Sequence, residues 1–202
     1  MKNKFNMFTR TAALIIMAVS LNSCLEKLPG DYILEEESMS TFNDAEQTLT
    51  GIYSAFMSGA LYSGYLTLCP DIQADLVYAI DGYSNTFGNH WLWDIYSTNS
   101  EIEAVYASLY TVIGRCNFYL DQIDEVRASL TDDTTIKTLD YYTGEVYCAR
   151  ALAYSELVKC FCEAYDPATA ENVPGVVIRS KYFEKEPVRR ASLKDSYAFI
   201  LS

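Results

Sequence analysis

The sequence predicts an all-α fold, and three observations carry that reading. Two stretches of about thirty residues, 100–129 and 135–163, keep apolar side chains at spacings of three and four. A tight turn of Asp and Thr, residues 132–135, joins them. A shorter stretch from Phe42 to Phe56 repeats the same period behind a Ser/Thr cap.

The chain opens on an export signal, residues 1–23. Lys2, Lys4 and Arg10 form a basic head without an acid, an apolar run from Ala12 to Val19 follows, and small residues lead to Cys24. That run has about half of the ~20 residues a membrane-spanning helix needs. A tether, residues 24–39, comes next, broken by Pro29 and Gly30. Residues 40–202 hold the helical domain. Its first helix takes Ser40 or Thr41 as cap, Asp44 and Glu46 in its first turn, and an apolar face of Phe42, Ala45, Leu49, Ile52, Tyr53 and Phe56, with Gly59 as its end. Leu66 to Ile80 suggest a second helix, with Asp71 and Asp75 on one side.

Residues 81–99 predict a loop with short helical turns, rich in Gly, Asn and Ser and dense in aromatics. The first long helix then carries Ile102, Val105, Tyr106, Leu109, Ile113, Cys116, Leu120 and Ile123 on one stripe. The next carries Leu139, Tyr142, Val146, Ala149, Ala153, Leu157 and Cys160, and the pair forms an antiparallel hairpin. Gly175 to Ile178 predict a short extended piece, and Lys185 to Arg190 a charged loop. Ser192 caps a last helix whose face (Leu193, Tyr197, Ile200, Leu201) meets no later element, which predicts a truncated chain.

Composition narrows the function. The full chain carries a formal charge of −12, and removing residues 1–23 makes it more acidic still. Such a surface excludes nucleic acid, whose phosphates need clustered cations. Five cysteines follow Cys24; metal-site spacings are absent, and buried thiols acting as small apolar residues are the expected role, with a disulfide as the alternative. The 17 tyrosines predict core and interhelical packing. His90 lacks partners for a metal, and neither it nor the Asp71–Asp75 pair carries a catalytic expectation. No phosphate loop or nucleophile elbow is present, and no cofactor is expected.

Candidate binding residues fall in the aromatic loop. Asn89, Trp91, Trp93, Asp94, Tyr96 and Asn99 combine flat rings with amide and carboxylate groups. A sugar ring presents an apolar face edged with hydroxyls, so it wants that mixture. The competing role for either tryptophan is to anchor the loop on the helices.

Five stretches, in one order, resemble the SusD/RagB-like family of outer-membrane nutrient-binding lipoproteins. They are Cys24–Pro29 (CLEKLP), Phe42–Tyr53 (FNDAEQTLTGIY), Tyr106–Asn117 (YASLYTVIGRCN), Gly144–Tyr154 (GEVYCARALAY) with Leu157 and Val158, and Glu186–Ser192 (EPVRRAS) with Tyr197 and Ile200. The chain differs from the family in having Tyr106 where a Trp is usual, and Cys160–Tyr165 where an aromatic-Gly stretch is usual. Leu21-Asn22-Ser23 before Cys24 is similar to a lipobox, which implies acylation of Cys24 (palmitate among its chains) and a lipid anchor in the outer membrane, facing the exterior. The resemblance further implies tetratricopeptide-like helix pairs, a SusC-like TonB-dependent transporter as partner, and capture of oligosaccharide or, less often, peptide without catalysis. Family members run more than twice this length, so the chain is expected to be their N-terminal portion. Two other readings remain at this stage. One is a protein-binding helical scaffold of the cell envelope or a non-functional fragment; the other is an envelope hydrolase, which no motif supports.

Overall fold

A computed structural model describes residues 39–78, 80, 87–183 and 189–202, all within one unit, Ser38–Ser202. The export signal, Cys24 and the tether up to residue 38 lie outside the described residues.

Among the described residues, six helices and one two-stranded sheet follow in order: α1 (Phe42–Phe56), α2 (Tyr65–Gln73), α3 (Gly88–Trp91), α4 (Ser100–Ser129), α5 (Asp133–Phe161), β1 (Pro174–Val177), β2 (Arg190–Ser192) and α6 (Leu193–Leu201). The fold is all-helical in architecture, with the long α4–α5 hairpin as its spine. Helix α1 lies against both arms of the hairpin. Its start is fixed chemically. Thr41 accepts from the Asp44 amide (3.2 Å) while the Asp44 carboxylate accepts from the Thr41 amide (2.9 Å), a reciprocal capping box. Asp132 caps α5 by accepting from the Thr135 amide (2.8 Å), and Ser192 caps α6 by accepting from Asp195 (3.0 Å).

The core sits where the three long elements meet. Ala45, Leu49, Ile52 and Phe56 of α1 bury against Val105, Leu109, Val112, Ile113 and Cys116 of α4 and Val146, Ala149, Ala153 and Leu157 of α5. Each fully buried large aliphatic contributes about 1.5–3 kcal/mol over exposure. Small residues on α5 (Ala149, Ala153) sit inside this contact, as interhelical approach requires.

Several expectations need correction. Tyr53, placed on the apolar face of α1, is half-exposed and gives its hydroxyl to Glu145 (2.7 Å). Helix α1 ends at Phe56 rather than at Gly59. Gly59 is instead approached by Gly64, where a Cβ would lie 2.1 Å from the Gly59 carbonyl oxygen. Helix α2 stops at Gln73, and Asp75 takes a left-handed backbone (φ 56°), so Asp71 and Asp75 share no helix face. Arg190 belongs to a strand rather than a charged loop; residues 184–188 lie outside the described set. Cys69 and Cys116 are buried, but Cys148 and Cys160 are exposed and Cys162 is half-buried, all five as free thiols. On α6, Leu193 is buried while Leu201 is exposed, and Phe199 packs edge-on against Tyr154 of α5.

Strand β1 pairs antiparallel with β2, Pro174 opposite Ser192 and Val177 opposite Arg190. Tyrosine hydroxyls serve the same segment from the hairpin side. Tyr110 donates to the Val177 carbonyl (2.8 Å) and accepts from the Val177 amide (3.1 Å). Two residues on, Tyr154 does the same for Arg179 (2.9 and 2.7 Å). A phenol is both donor and acceptor, so each one stands in for part of a neighbouring strand. Buried Asn117 completes the seam, donating to Arg179 (2.9 Å) and accepting from Arg150 (3.0 Å).

Candidate functional site

Helix α3 is a single turn, Gly88–Trp91, entered through Phe87 in a left-handed conformation (φ 58°). The Phe87 ring meets Tyr65 of α2 edge-on (5.5 Å) and His90 edge-on (6.0 Å). His90 is 1% exposed, and neither ring nitrogen has a hydrogen-bond partner. Phe87 and His90 therefore fasten the loop to the helices. The alternative expectation is that one or both tryptophans do so. Trp91 is half-buried, while Trp93 is 64% exposed.

Trp93 follows the α3 turn with φ 58°. Left-handed backbone is rare for a bulky residue and costs on the order of 1–3 kcal/mol. The Trp93 amide reaches the His90 carbonyl (3.2 Å) and the Asp94 amide reaches the Asn89 carbonyl (2.8 Å), which pins the turn in that shape. Tyr96 is 56% exposed, and the hydrogen bond of its phenol to the Asp94 carboxylate holds its pKa above the ordinary value. Asn99 folds back, its Oδ1 accepting from the Tyr96 amide (2.6 Å), so it caps the turn before α4 and keeps only its amide hydrogens for other partners. The six predicted residues thus lie on one continuous turn-rich segment. Trp93, Asp94 and Tyr96 form its exposed part; Asn89 and Trp91 are half-buried, and Asn99 holds the turn through its Oδ1.

This segment offers two exposed rings, one of them bonded to the Asp94 carboxylate, suited to a ligand with an apolar face and hydroxyl edges. Among the described residues, no group of three or more His, Cys, Asp or Glu is placed to hold a metal ion. No described helix is long and apolar enough to cross a membrane.

Among the described residues, a cavity of about 630 Å³ runs between α1 and α5 and is lined by Tyr53, Phe56, Tyr62, Tyr141, Glu145 and Leu152 among others. Sequence reasoning missed it because the tyrosines were assigned to packing. Tyr141 sits one position off the buried stripe of α5, which is the signal that points it outward. A smaller one of about 310 Å³ lies between α5 and α6, where the Arg150 guanidinium stands over the Tyr147 and Phe199 rings.

The SusD-like family model described as "Starch-binding associating with outer membrane" matches residues 31–202. The chain belongs to this SusD-like family. Solved structures agree in fold. A SusD superfamily protein from Bacteroides thetaiotaomicron superposes with a TM-score of 0.66 at 18% identity, over 80% of this chain and 35% of that one. A candidate sugar-binding protein from Bacteroides vulgatus gives 0.66 at 23% identity, over 81% and 36%. A SusD homolog from Bacteroides thetaiotaomicron gives 0.61 at 23%, over 82% and 29%. The SusD-like chain therefore spans about a third of the length of these relatives. No curated protein matches it.

Proposed function

We propose that this SusD-like chain captures oligosaccharide at the outer membrane through the loop 89–99 and passes it on without chemical change. The observation that carries the reading is the pair of exposed rings, Trp93 and Tyr96, flanking Asp94 on a strained turn that Phe87 and His90 fasten down. Backbone strain and outward aromatic surface both cost stability, and a binding role accounts for both. The family description, starch-binding and associated with the outer membrane, supports the ligand class and the location.

In this reading the signal 1–23 is removed and Cys24 is acylated, so residues 24–39 tether the helical domain to the outer face of the membrane. The rings of Trp93 and Tyr96 stack on a pyranose, with Asp94 accepting from its hydroxyls and the Asn99 amide donating. Asn89 and Trp91 support the platform. A TonB-dependent transporter of the SusC type receives the ligand. Among the relatives, the B. vulgatus protein bears a sugar-binding description, which agrees with this class.

Calorimetric titration of the full chain with neutral oligosaccharides tests the site. Trp93→Ala with Tyr96→Ala is expected to weaken binding by about fivefold to a hundredfold, since each lost stacking contact is worth about 0.5–1.5 kcal/mol. Unchanged affinity in the double variant removes the loop from the account, and no binding of any oligosaccharide by the parent chain leaves a scaffold that binds protein.

A further inference from the structure

The groove between α1 and α5 is built from the same residue types as the loop platform, and no role has yet been given to it. Tyr141 is 73% exposed, and Tyr53 and Tyr62 also turn ring surface outward. Two of the three are tied at their edges. Tyr53 donates to Glu145 (2.7 Å) and Tyr62 donates to Glu156 (3.1 Å), so both phenols are fixed at the oxygen while ring surface remains open. Burial, then the Glu156 carboxylate, pushes the Tyr62 phenol up to about 12, and it stays a neutral donor. Gly144, Cys148 and Ala149, all small, complete the lining.

The chemistry of the lining selects the occupant. Asp140 and Glu145 are its ionisable acids. Asp140 is paired with Arg127, which stands outside the lining, and Glu145 accepts from Tyr53, so Glu145 keeps acceptor capacity with no basic side chain in the lining itself. An anionic ligand is therefore disfavoured, while a neutral one bearing hydroxyls finds carboxylate acceptors beside apolar rings. The volume of about 630 Å³ is within the range of small-ligand sites. A stable protein partner would instead cover about 800 Å² per side. Fixed rings also lower the ordering cost of binding.

We propose that the α1–α5 groove is a second carbohydrate subsite, taking neutral pyranose units by stacking on Tyr141 and Tyr53. The proposal rests on the glycan reading above and extends it from one platform to two. Two separated subsites make affinity rise with the length of the sugar chain, or with its valency, once both are engaged.

The test uses the full chain and neutral gluco-, xylo- and manno-oligosaccharides of graded length, followed by calorimetry. Tyr141→Ala is expected to weaken binding of the longest bound oligosaccharide about fivefold, with Tyr141→Phe retaining parental affinity because the ring face is kept. Tyr141 is exposed, and a circular-dichroism melt matching the parent excludes unfolding as the cause. Parental affinity in Tyr141→Ala for every length, with Trp93→Ala still weakened, overturns the groove and leaves the loop standing. Failure of the parent chain to bind any member of the series overturns both.

Discussion

Single side chains set the limits of this fold more sharply than hydropathy does. The Asp44 carboxyl is held below its ordinary value of 3.8, first by the Thr41 hydroxyl, and Asp132 is held low by Thr135 in the same way. A lowered folded pKa means that the stabilisation is complete above the unfolded value and is lost as pH falls through the lower, folded one. Acid titration of the melting temperature should therefore show a loss beginning below about pH 4, and Thr41→Ala should shrink that loss. At neutral pH, Thr41→Ala is expected to cost about 1 kcal/mol, read as a lower urea midpoint with unchanged slope. Tyr110 is a second decisive residue. Burial, helped by its hydrogen bond with Tyr106, holds its phenol far above the usual value, so it is neutral at all working pH. Tyr110→Phe removes the shared partner of the Val177 amide and carbonyl, and about 1–3 kcal/mol of stability should go with it.

At the scale of elements, what was legible in the sequence followed from caps and period. The hairpin of α4 and α5 was evident because long apolar stripes meet across a turn whose Asp132 has one obvious task. The proposed helix from Leu66 to Ile80 failed beyond Gln73 because Asp75 takes a left-handed backbone, a choice that hydropathy does not encode. Strand β2 was hidden for a different reason. Arg190 looks like a loop cation, yet it donates to the carbonyls of Gly175 (2.5 Å), Phe161 (3.1 Å) and Pro174 (3.1 Å), gathering the sheet onto the end of α5. The bridging tyrosines were hidden likewise, since a hydroxyl that bonds to backbone leaves the apolar period intact. In the candidate site, the residue types were legible but the division of labour was not. Phe87 and His90, not the tryptophans alone, turned out to hold the loop. The docking of α6 on β1 supplies a direct test. A Cβ at Gly175 would fall 2.5 Å from the Ser192 carbonyl oxygen and 2.1 Å from Ser196 Oγ. Gly175→Ala should speed amide exchange across β1, β2 and α6 while the α4–α5 hairpin stays protected.

For the whole molecule, the parts converge on a helical platform that exposes aromatic surface at a loop and along a groove, on a chain of strongly negative charge. A charge of that sign repels anionic headgroups and does not oppose the approach of a neutral ligand, as the proposed function requires. The proposed anchor has its own check: the mass of the protein from native outer membranes should show an N-terminal Cys24 carrying acyl chains. An unacylated N-terminus at that position would leave a secreted module in its place. The central claim is capture without turnover, and one measurement bears on it most directly. The full chain is titrated with neutral oligosaccharides, and the sugar is then recovered and sized. Saturable binding that Trp93→Ala weakens, with the sugar recovered at its original length, is the predicted result. Shortened sugar, or no binding of any oligosaccharide, would contradict it.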